Sequence, residues 1–217
     1  MDNDLPDVQI TPSAPALTCT VQAITLQASG AANYVWNGVN TGASLTITEG
    51  GDYTVVGTAA NGCSDTETIT IGQDAGLPDV SITPSTATLT CSVNSVELTA
   101  VADPGIVFDW GDVDPTNITE QGPYSVTAIA PNGCQRVATA TVVEDRENPD
   151  VAITTPATTV LTCYNSYNNI PITLEATTAT SGATLSWTGG TLDVTTPGIY
   201  SVTATATNGC ASEATIE

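Results

Sequence analysis

The chain has 217 residues, and its 23 acidic residues against two arginines give a formal net charge of -21. A surface this acidic repels phosphate groups, which excludes nucleic-acid binding and attachment to anionic membranes. The chain contains neither lysine nor histidine. It therefore lacks the usual general base, the commonest zinc ligand, Schiff-base chemistry and lysine–asparagine isopeptide cross-links.

One sequence unit recurs three times along the chain. Each copy opens on Pro-Asp-Val, continues through Leu-Thr-Cys to a tryptophan, and closes on a Gly-x-Tyr strand followed by Asn-Gly-Cys. The Leu-Thr-Cys cysteines are Cys19, Cys91 and Cys163, and the Asn-Gly-Cys cysteines are Cys63, Cys134 and Cys210. A period of about seventy residues is typical of small domains in tandem. We predict domains at residues 1–73, 74–145 and 146–217, in what we expect to be a slice of a longer array.

Every copy has the pattern of a β-sheet domain. Apolar and polar residues alternate over short runs rich in valine and threonine, and glycine and proline separate these runs. About seven short strands per copy predict a sandwich of two sheets. We expect Trp36, Trp110 and Trp187 to lie in the three cores. The Asn-Gly steps predict type I′ hairpin turns, which require positive φ at both central residues.

The six cysteines, two per copy, indicate an oxidising compartment. Six cysteines allow fifteen pairings, so the sequence alone does not settle the connectivity. The repeat favours pairing within each copy, because each domain has to fold as a unit. The predicted disulfides are Cys19–Cys63, Cys91–Cys134 and Cys163–Cys210, each contributing about 4 kcal/mol in the chain-entropy model.

The central tryptophan, the Gly-x-Tyr-x-Val strand and the closing Asn-Gly-Cys make each unit resemble a known family of repeats. These are the PKD or immunoglobulin-like repeats of large bacterial cell-surface adhesins, including gliding proteins and others exported by the type IX pathway. The resemblance covers nearly the whole chain. It implies three tandem immunoglobulin-like β-sandwiches outside the cell, at the surface or secreted, acting as a non-enzymatic stalk, spacer or adhesive module. The implied partners are neighbouring repeats of the same protein, surface glycans and other cells.

Acidic residues between the second and third copies are the best candidate metal site. Calcium prefers six to eight oxygen ligands, mostly carboxylates and carbonyls. The candidate ligands, within seven residues, are Glu144, Asp145, Glu147, Asn148 and Asp150. Their spacing is similar to calcium motifs between cadherin domains. We predict that calcium bound here stiffens the junction, against the alternative that these are solvated surface charges.

Three other functions stay open. Asp109 and Asp112 are a carboxylate pair of the kind used in glycoside hydrolysis, although carboxylates are too abundant here for this pair to favour an enzyme. A carbohydrate-binding module of a secreted enzyme needs exposed aromatic residues, and Tyr164 and Tyr167, in an insertion of the third copy, are the candidates. A filament subunit assembling through edge strands is the third alternative.

Overall fold

The computed structural model describes residues 4–154, 156, 159–168, 170–189 and 193–217. The chain divides into two compact units, the first made of Met1–Ser81, Ala100–Gly111 and Ser125–Ala138, and the second of Ile82–Thr99, Asp112–Tyr124 and Thr139–Glu217. Each unit takes part of the middle repeat. The first unit therefore contains the junction between repeats one and two, and the second unit contains the junction between repeats two and three. The domain boundaries given above stay predictions.

The first repeat is a sandwich of a three-stranded and a five-stranded sheet. Its strands are β1 (Gln9–Pro12), β2 (Ala16–Thr18), β3 (Ile24–Ser29), β4 (Asn33–Trp36), β5 (Asn40–Thr41), β6 (Ser44–Ile47), β7 (Gly51–Thr58) and β8 (Ser64–Asp74). The sheet orders are β1-β3-β6 and β2-β8-β7-β4-β5. The pairings are antiparallel except that β2 runs parallel to β8. Two sheets in this order form an immunoglobulin-like sandwich, and the all-β prediction is confirmed.

The core of the first repeat follows from the alternation in its sequence. On β3 the side chains of Ile24, Leu26 and Ala28 are buried, and those between them are exposed. They pack in one cluster with Trp36, which has no exposed surface. The Trp36 indole Nε1–H donates a hydrogen bond to the Gly42 carbonyl at 3.0 Å, so its polar group is satisfied inside the core.

The second repeat uses β9 (Val80–Thr83), β10 (Thr86–Thr90), β11 (Thr99–Ala102), β12 (Val107–Asp109), β13 (Gly122–Ile129) and β14 (Gln135–Asp145). Within the first unit β12 pairs antiparallel with β13. Within the second unit β10 runs parallel to the end of β14, with Thr90 opposite Asp145. This repeats the β2–β8 pairing of the first repeat.

The third repeat contains β15 (Ala152–Thr154), α1 (Cys163–Asn168), β16 (Ile172–Thr173), β17 (Glu175–Thr177), β18 (Thr184–Trp187), β19 (Asp193–Val194), β20 (Tyr200–Thr205) and β21 (Ala211–Ile216). The strands pair as β15-β17, β16-β19 and β18-β20-β21. The six-residue helix α1 begins at Cys163 and covers the start of the insertion that carries Tyr164 and Tyr167. No described helix is long and apolar enough to cross a membrane.

The tryptophan prediction holds fully only in the first repeat. Trp110 and Trp187 are partly buried. Trp187 packs at the edge of a small cluster formed by Ile172, Leu174 and Val194. The same sequence position therefore carries a fully buried core residue in one repeat and a partly buried side chain in the other two.

Each repeat also carries a tyrosine corner that the sequence did not reveal. The hydroxyls of Tyr53, Tyr124 and Tyr200 donate to the carbonyl four residues earlier at 2.7, 2.8 and 2.7 Å. Such a contact ties the start of a strand to the loop before it and is a hallmark of immunoglobulin-like sandwiches. This explains why the Gly-x-Tyr step recurs in every copy.

The hairpin prediction is correct in place and wrong in turn type. In the first repeat the Gly62 N–H donates to the Ala59 carbonyl at 3.0 Å, and the Ala59 N–H donates to the Cys63 carbonyl at 2.8 Å. Gly62 has φ +88°, whereas the φ of Asn61 is not positive. This is a type I turn followed by a left-handed glycine, the usual three-residue hairpin loop. The other two Asn-Gly-Cys turns have the same hydrogen bonds.

Candidate functional site at the repeat junctions

The disulfides join neighbouring repeats, and the predicted pairing within each repeat is wrong. Cys19 bonds to Cys134 and Cys91 bonds to Cys210, each with Cα atoms 5.0 Å apart. Cys63 and Cys163 have no disulfide partner. The first cysteine of one repeat therefore pairs with the Asn-Gly-Cys cysteine of the next.

Strand geometry explains why pairing within a repeat fails. Cys19 follows β2 at the end where Thr18 lies opposite Asp74, the last residue of β8. Cys63 immediately precedes Ser64, the first residue of the same strand. At 3.3 Å per residue, the 11 residues of β8 separate those two ends by about 35 Å. A disulfide requires Cα atoms within about 7 Å.

A tight turn presents the first cysteine of each bridge. In the first repeat the Thr18 N–H donates to the Val21 carbonyl at 2.9 Å, and the Thr18 hydroxyl accepts from the Val21 N–H at 3.0 Å. Thr90 and Val93 form the same pair of bonds in the second repeat at 2.9 and 3.0 Å. Threonine oxygens often bond nearby backbone in this way. The turn projects Cys19 or Cys91 from the end of the sandwich.

The Asn-Gly-Cys turn forms the receiving half of each bridge. The Asn132 Oδ1 accepts from the Cys134 N–H at 2.9 Å, and its Nδ2 donates to Asp74 Oδ1 and to the Gly76 carbonyl at 2.8 and 3.0 Å. The same asparagine therefore shapes the turn and holds the incoming linker against it. Asn208 repeats this arrangement with Cys210, Asp145 and Glu147, at distances of 2.9 to 3.0 Å.

The two halves fit closely because the turn residue is glycine. A Cβ on Gly133 would lie 2.3 Å from Thr20 Cγ2, and a Cβ on Gly209 would lie 2.8 Å from Ser92 Cβ. Thr20 and Ser92 each follow the bridging cysteine of the preceding repeat. At Gly62, whose turn carries no disulfide, no described residue lies within 4 Å of an added Cβ.

Replacing Gly133 with alanine is expected to destabilise the first junction more than the matched change at Gly62. Both glycines have left-handed φ, +78° and +88°, so alanine at either position costs about 1–2 kcal/mol of backbone strain. Only Gly133→Ala also displaces Thr20. Urea unfolding and the refolding yield of the Cys19–Cys134 bond measure the difference. Equal effects of the two changes would show that the contact with Thr20 contributes nothing.

The unbridged Cys63 is more accessible than its bridged counterparts, since it is partly buried whereas Cys134 and Cys210 are 1% exposed. Cys163 is exposed, as is the bridged Cys91 at the equivalent position. The turn around Cys63 nevertheless has the same internal geometry as the occupied ones. The Asn61 Oδ1 accepts from the Cys63 N–H at 2.9 Å, and its Nδ2 donates to the Asp4 carbonyl at 3.0 Å.

The candidate calcium ligands lie beside the second bridge, but most of those described already have protein partners. Glu144 forms an ion pair with Arg146 at 3.1 Å. Asp145 and the Glu147 carbonyl accept from Asn208, and Asn148 is exposed. Among the described residues, no three acidic or cysteine side chains are grouped as metal ligands. The sequence also offers Asp2, Asn3, Asp4 and Asp7 as part of an equivalent site, and of these Asp2 and Asn3 lie outside the described residues.

Asp150 has a structural role in the third repeat. Its carboxylate accepts from the backbone N–H groups of Ala179 and Thr180 and from the hydroxyls of Thr178 and Thr180, at 2.6 to 3.2 Å. The Thr180 hydroxyl is the largest of several hydrogen bonds that lower the pKa of Asp150 to about 2. Because these bonds stabilise the ionised carboxylate, this side chain fixes a loop of its own repeat.

Acid is expected to weaken this loop contact. The folded pKa of Asp150 lies below its ordinary value of 3.8, so its stabilising effect is full above that value and disappears as pH falls towards 2. The difference in unfolding free energy between the natural chain and an Asp150→Asn variant should shrink over this range. Urea titrations at stepped pH measure it. A pH-independent difference would contradict the role of the ionised carboxylate.

The other candidate site residues are either exposed or already hydrogen-bonded within their own loop. Tyr164 and Tyr167 lie on α1 and are 71% and 91% exposed. Both rings are therefore accessible to the carbohydrate ligand that the sequence suggested for them. Asp109 accepts from the Gly111 N–H at 2.8 Å and closes a local turn. An apolar cleft of about 390 Å³ in the third repeat borders the Ile172, Leu174 and Val194 core, and it belongs to the packing of that repeat.

Comparison with known proteins finds similarity in structure and none in sequence families. No protein-family model and no curated protein matches the chain. Domains of a bacterial ice-binding adhesin match with a TM-score of 0.42 and 12% identity, covering 99% of this chain and 97% of that one. Three domains of the bacteriophage RB49 outer capsid protein Hoc match with a TM-score of 0.39 and 14% identity, covering 94% and 84%. Scores this low leave function to be argued from the chain's own residues.

Proposed function

We propose that the chain is a covalently braced segment of an extracellular stalk or adhesive array, without catalytic activity. The observation that carries the proposal is that both disulfides cross from one repeat to the next. Disulfides persist in oxidising compartments outside the cytosol, which supports a location at the cell surface or in the secreted fraction. An acidic surface without lysine keeps such an array soluble and repels like-charged neighbours.

Each bridge changes the mechanics of its junction. Two domains joined by a short linker alone are free to swing about that linker. Here the linker and the disulfide are two separate covalent connections between the same pair of repeats. The close contacts of Thr20 on Gly133 and of Ser92 on Gly209 fill the space between them. A spacer that has to transmit position or force benefits from junctions that do not bend.

Calcium at residues 144–150 and glycan binding by Tyr164 and Tyr167 stay secondary proposals. The acidic segment lies beside the Cys91–Cys210 bridge, so a bound cation would reinforce a junction that is already braced. Two exposed tyrosines on one short helix are a favourable stacking surface for a sugar ring. Neighbouring repeats of the same array are the partners that the bridges support most directly.

Removing one bridge is expected to loosen one junction. A Cys19→Ser/Cys134→Ser variant should give a broader distribution of sizes in small-angle scattering than the natural chain. The matched control is Cys63→Ser/Cys163→Ser, which also removes two cysteines but no bridge, and its scattering should be unchanged. Identical profiles for the bridge variant and the natural chain would refute the brace. Repeating both measurements with calcium and with chelator tests the added stiffening.

A further inference from the structure

We propose that Cys163 of one copy and Cys63 of a second copy form the same bridge that joins repeats inside the chain, linking copies head to tail. Both internal bridges follow one rule, in which the Leu-Thr-Cys cysteine of a repeat bonds the Asn-Gly-Cys cysteine of the next. Within these 217 residues the rule leaves one cysteine of each kind unbridged, Cys163 in the third repeat and Cys63 in the first. The two unbridged thiols are complementary.

The receiving half around Cys63 is already formed. Asn61 bonds the Cys63 N–H and the incoming chain at Asp4, as Asn132 and Asn208 do in the two occupied junctions. Gly62 is left-handed like Gly133 and Gly209, and no described residue lies within 4 Å of a Cβ built on it, whereas Thr20 and Ser92 of the preceding repeats lie that close to theirs. Among the described residues, none covers Gly62 in the way that Thr20 and Ser92 cover the glycines of the two occupied junctions.

The Leu-Thr-Cys side of the proposed bridge, at Cys163, is accessible. Cys163 begins α1 and is exposed, and the next residue, Tyr164, is 71% exposed. Tyr164 occupies the sequence position of Thr20 and Ser92, which cover the turn glycines in the internal junctions. The ring is larger than those side chains, and the open space over Gly62 is where it would lie in a second copy.

Bond formation requires an oxidant, which a small-molecule disulfide such as oxidised glutathione supplies. The Cys163 thiolate attacks that disulfide, forms a mixed disulfide and releases one reduced thiol. The Cys63 thiolate of the second copy then attacks the protein sulfur and releases the second reduced thiol. The two protein thiols lose two protons and two electrons, and the oxidant gains them. The inference goes beyond the stalk proposal, which needs only the two internal bridges.

The test is oxidation of the purified chain in a glutathione redox buffer at increasing protein concentration. We expect a concentration-dependent ladder on a non-reducing gel, and peptide mapping should find Cys63 linked to Cys163 with both internal bridges intact. Because each copy carries a charge of -21, the ladder should form faster as salt screens the repulsion.

Single-cysteine variants distinguish this junction from random thiol coupling. In an equal mixture of the two variants, the Cys63→Ser chain keeps only the Cys163 thiol and the Cys163→Ser chain keeps only the Cys63 thiol. Oxidation of this mixture should therefore stop at a dimer linked by Cys163 and Cys63. Each variant alone should give far less dimer. Symmetric Cys63–Cys63 or Cys163–Cys163 dimers in equal yield, or no dimer in the mixture, would overturn the inference while leaving the braced stalk intact.

Discussion

Pulling the oxidised protein from its two ends is expected to extend it to about one third of the length reached by the reduced protein. Fully extended backbone spans about 3.5 Å per residue, so the 217-residue reduced chain reaches about 75 nm. In the oxidised protein one disulfide holds Cys19 against Cys134 and the other holds Cys91 against Cys210. Each bonded pair is therefore a single fixed point along the stretched chain. Single-molecule force spectroscopy with handles at the two ends measures both lengths.

The reason is the overlap of the two bridged loops. Three backbone segments connect the two bridged points, and the segment between Cys91 and Cys134 is the shortest. This shortest segment and the two free ends of the chain together contain about 70 residues, which extend to about 25 nm. The longer segments on either side of it cannot carry load at any extension, even when they are unfolded. The middle repeat therefore limits the reach of the whole chain.

Variants divide this effect into steps. A Cys91→Ser/Cys210→Ser chain keeps only the first bridge, so about 100 residues should extend, or about 35 nm. The Cys63→Ser/Cys163→Ser control should extend like the natural oxidised chain. A natural chain that reached its reduced length without a reducing agent would show that neither bridge is present.

The sequence was informative where one repeat could be read alone. Alternation in residues 24–28 predicted the buried face of β3, and Trp36 was correctly placed in the core. The Asn-Gly-Cys step marked a hairpin in every copy. Its turn type was missed because Asn-Gly occurs both in type I′ turns and at the end of a type I turn. Here the asparagine accepts a bond from the cysteine N–H, which holds it out of the left-handed region.

The disulfide pairing could not be read from the repeat itself. With cysteines recurring at one period, pairing within a copy and pairing with the next copy look alike in sequence. What separates them is which end of the sandwich each cysteine occupies, and that depends on the parallel pairing of β2 with β8. One signal was present in the sequence. The 11-residue alternating run after Cys63 is too long a strand for its two ends to share a disulfide.

Replacing Trp36 with alanine is expected to cost about 3–5 kcal/mol of unfolding free energy in the first repeat. The indole has no exposed surface, packs with Ile24 and Leu26, and donates a hydrogen bond to the Gly42 carbonyl. Removing it leaves a cavity and an unpaired carbonyl at the centre of one sandwich. Urea unfolding followed by circular dichroism, with hydrogen exchange of the β3 and β4 amides, measures the loss.

Trp110→Ala is the matched control, because this tryptophan holds the same position in the second repeat and is only partly buried. Its neighbours can relax towards solvent, so its replacement should cost clearly less than that of Trp36. The Cys19–Cys134 bridge should keep the weakened first repeat tethered to the second. Chemical reduction of this bridge should therefore increase the loss of unfolding free energy caused by Trp36→Ala. Equal costs at the two positions would mean that burial of the tryptophan does not distinguish the repeats. If reduction leaves the loss of unfolding free energy unchanged, the bridge holds the two repeats together without stabilising the fold of either one.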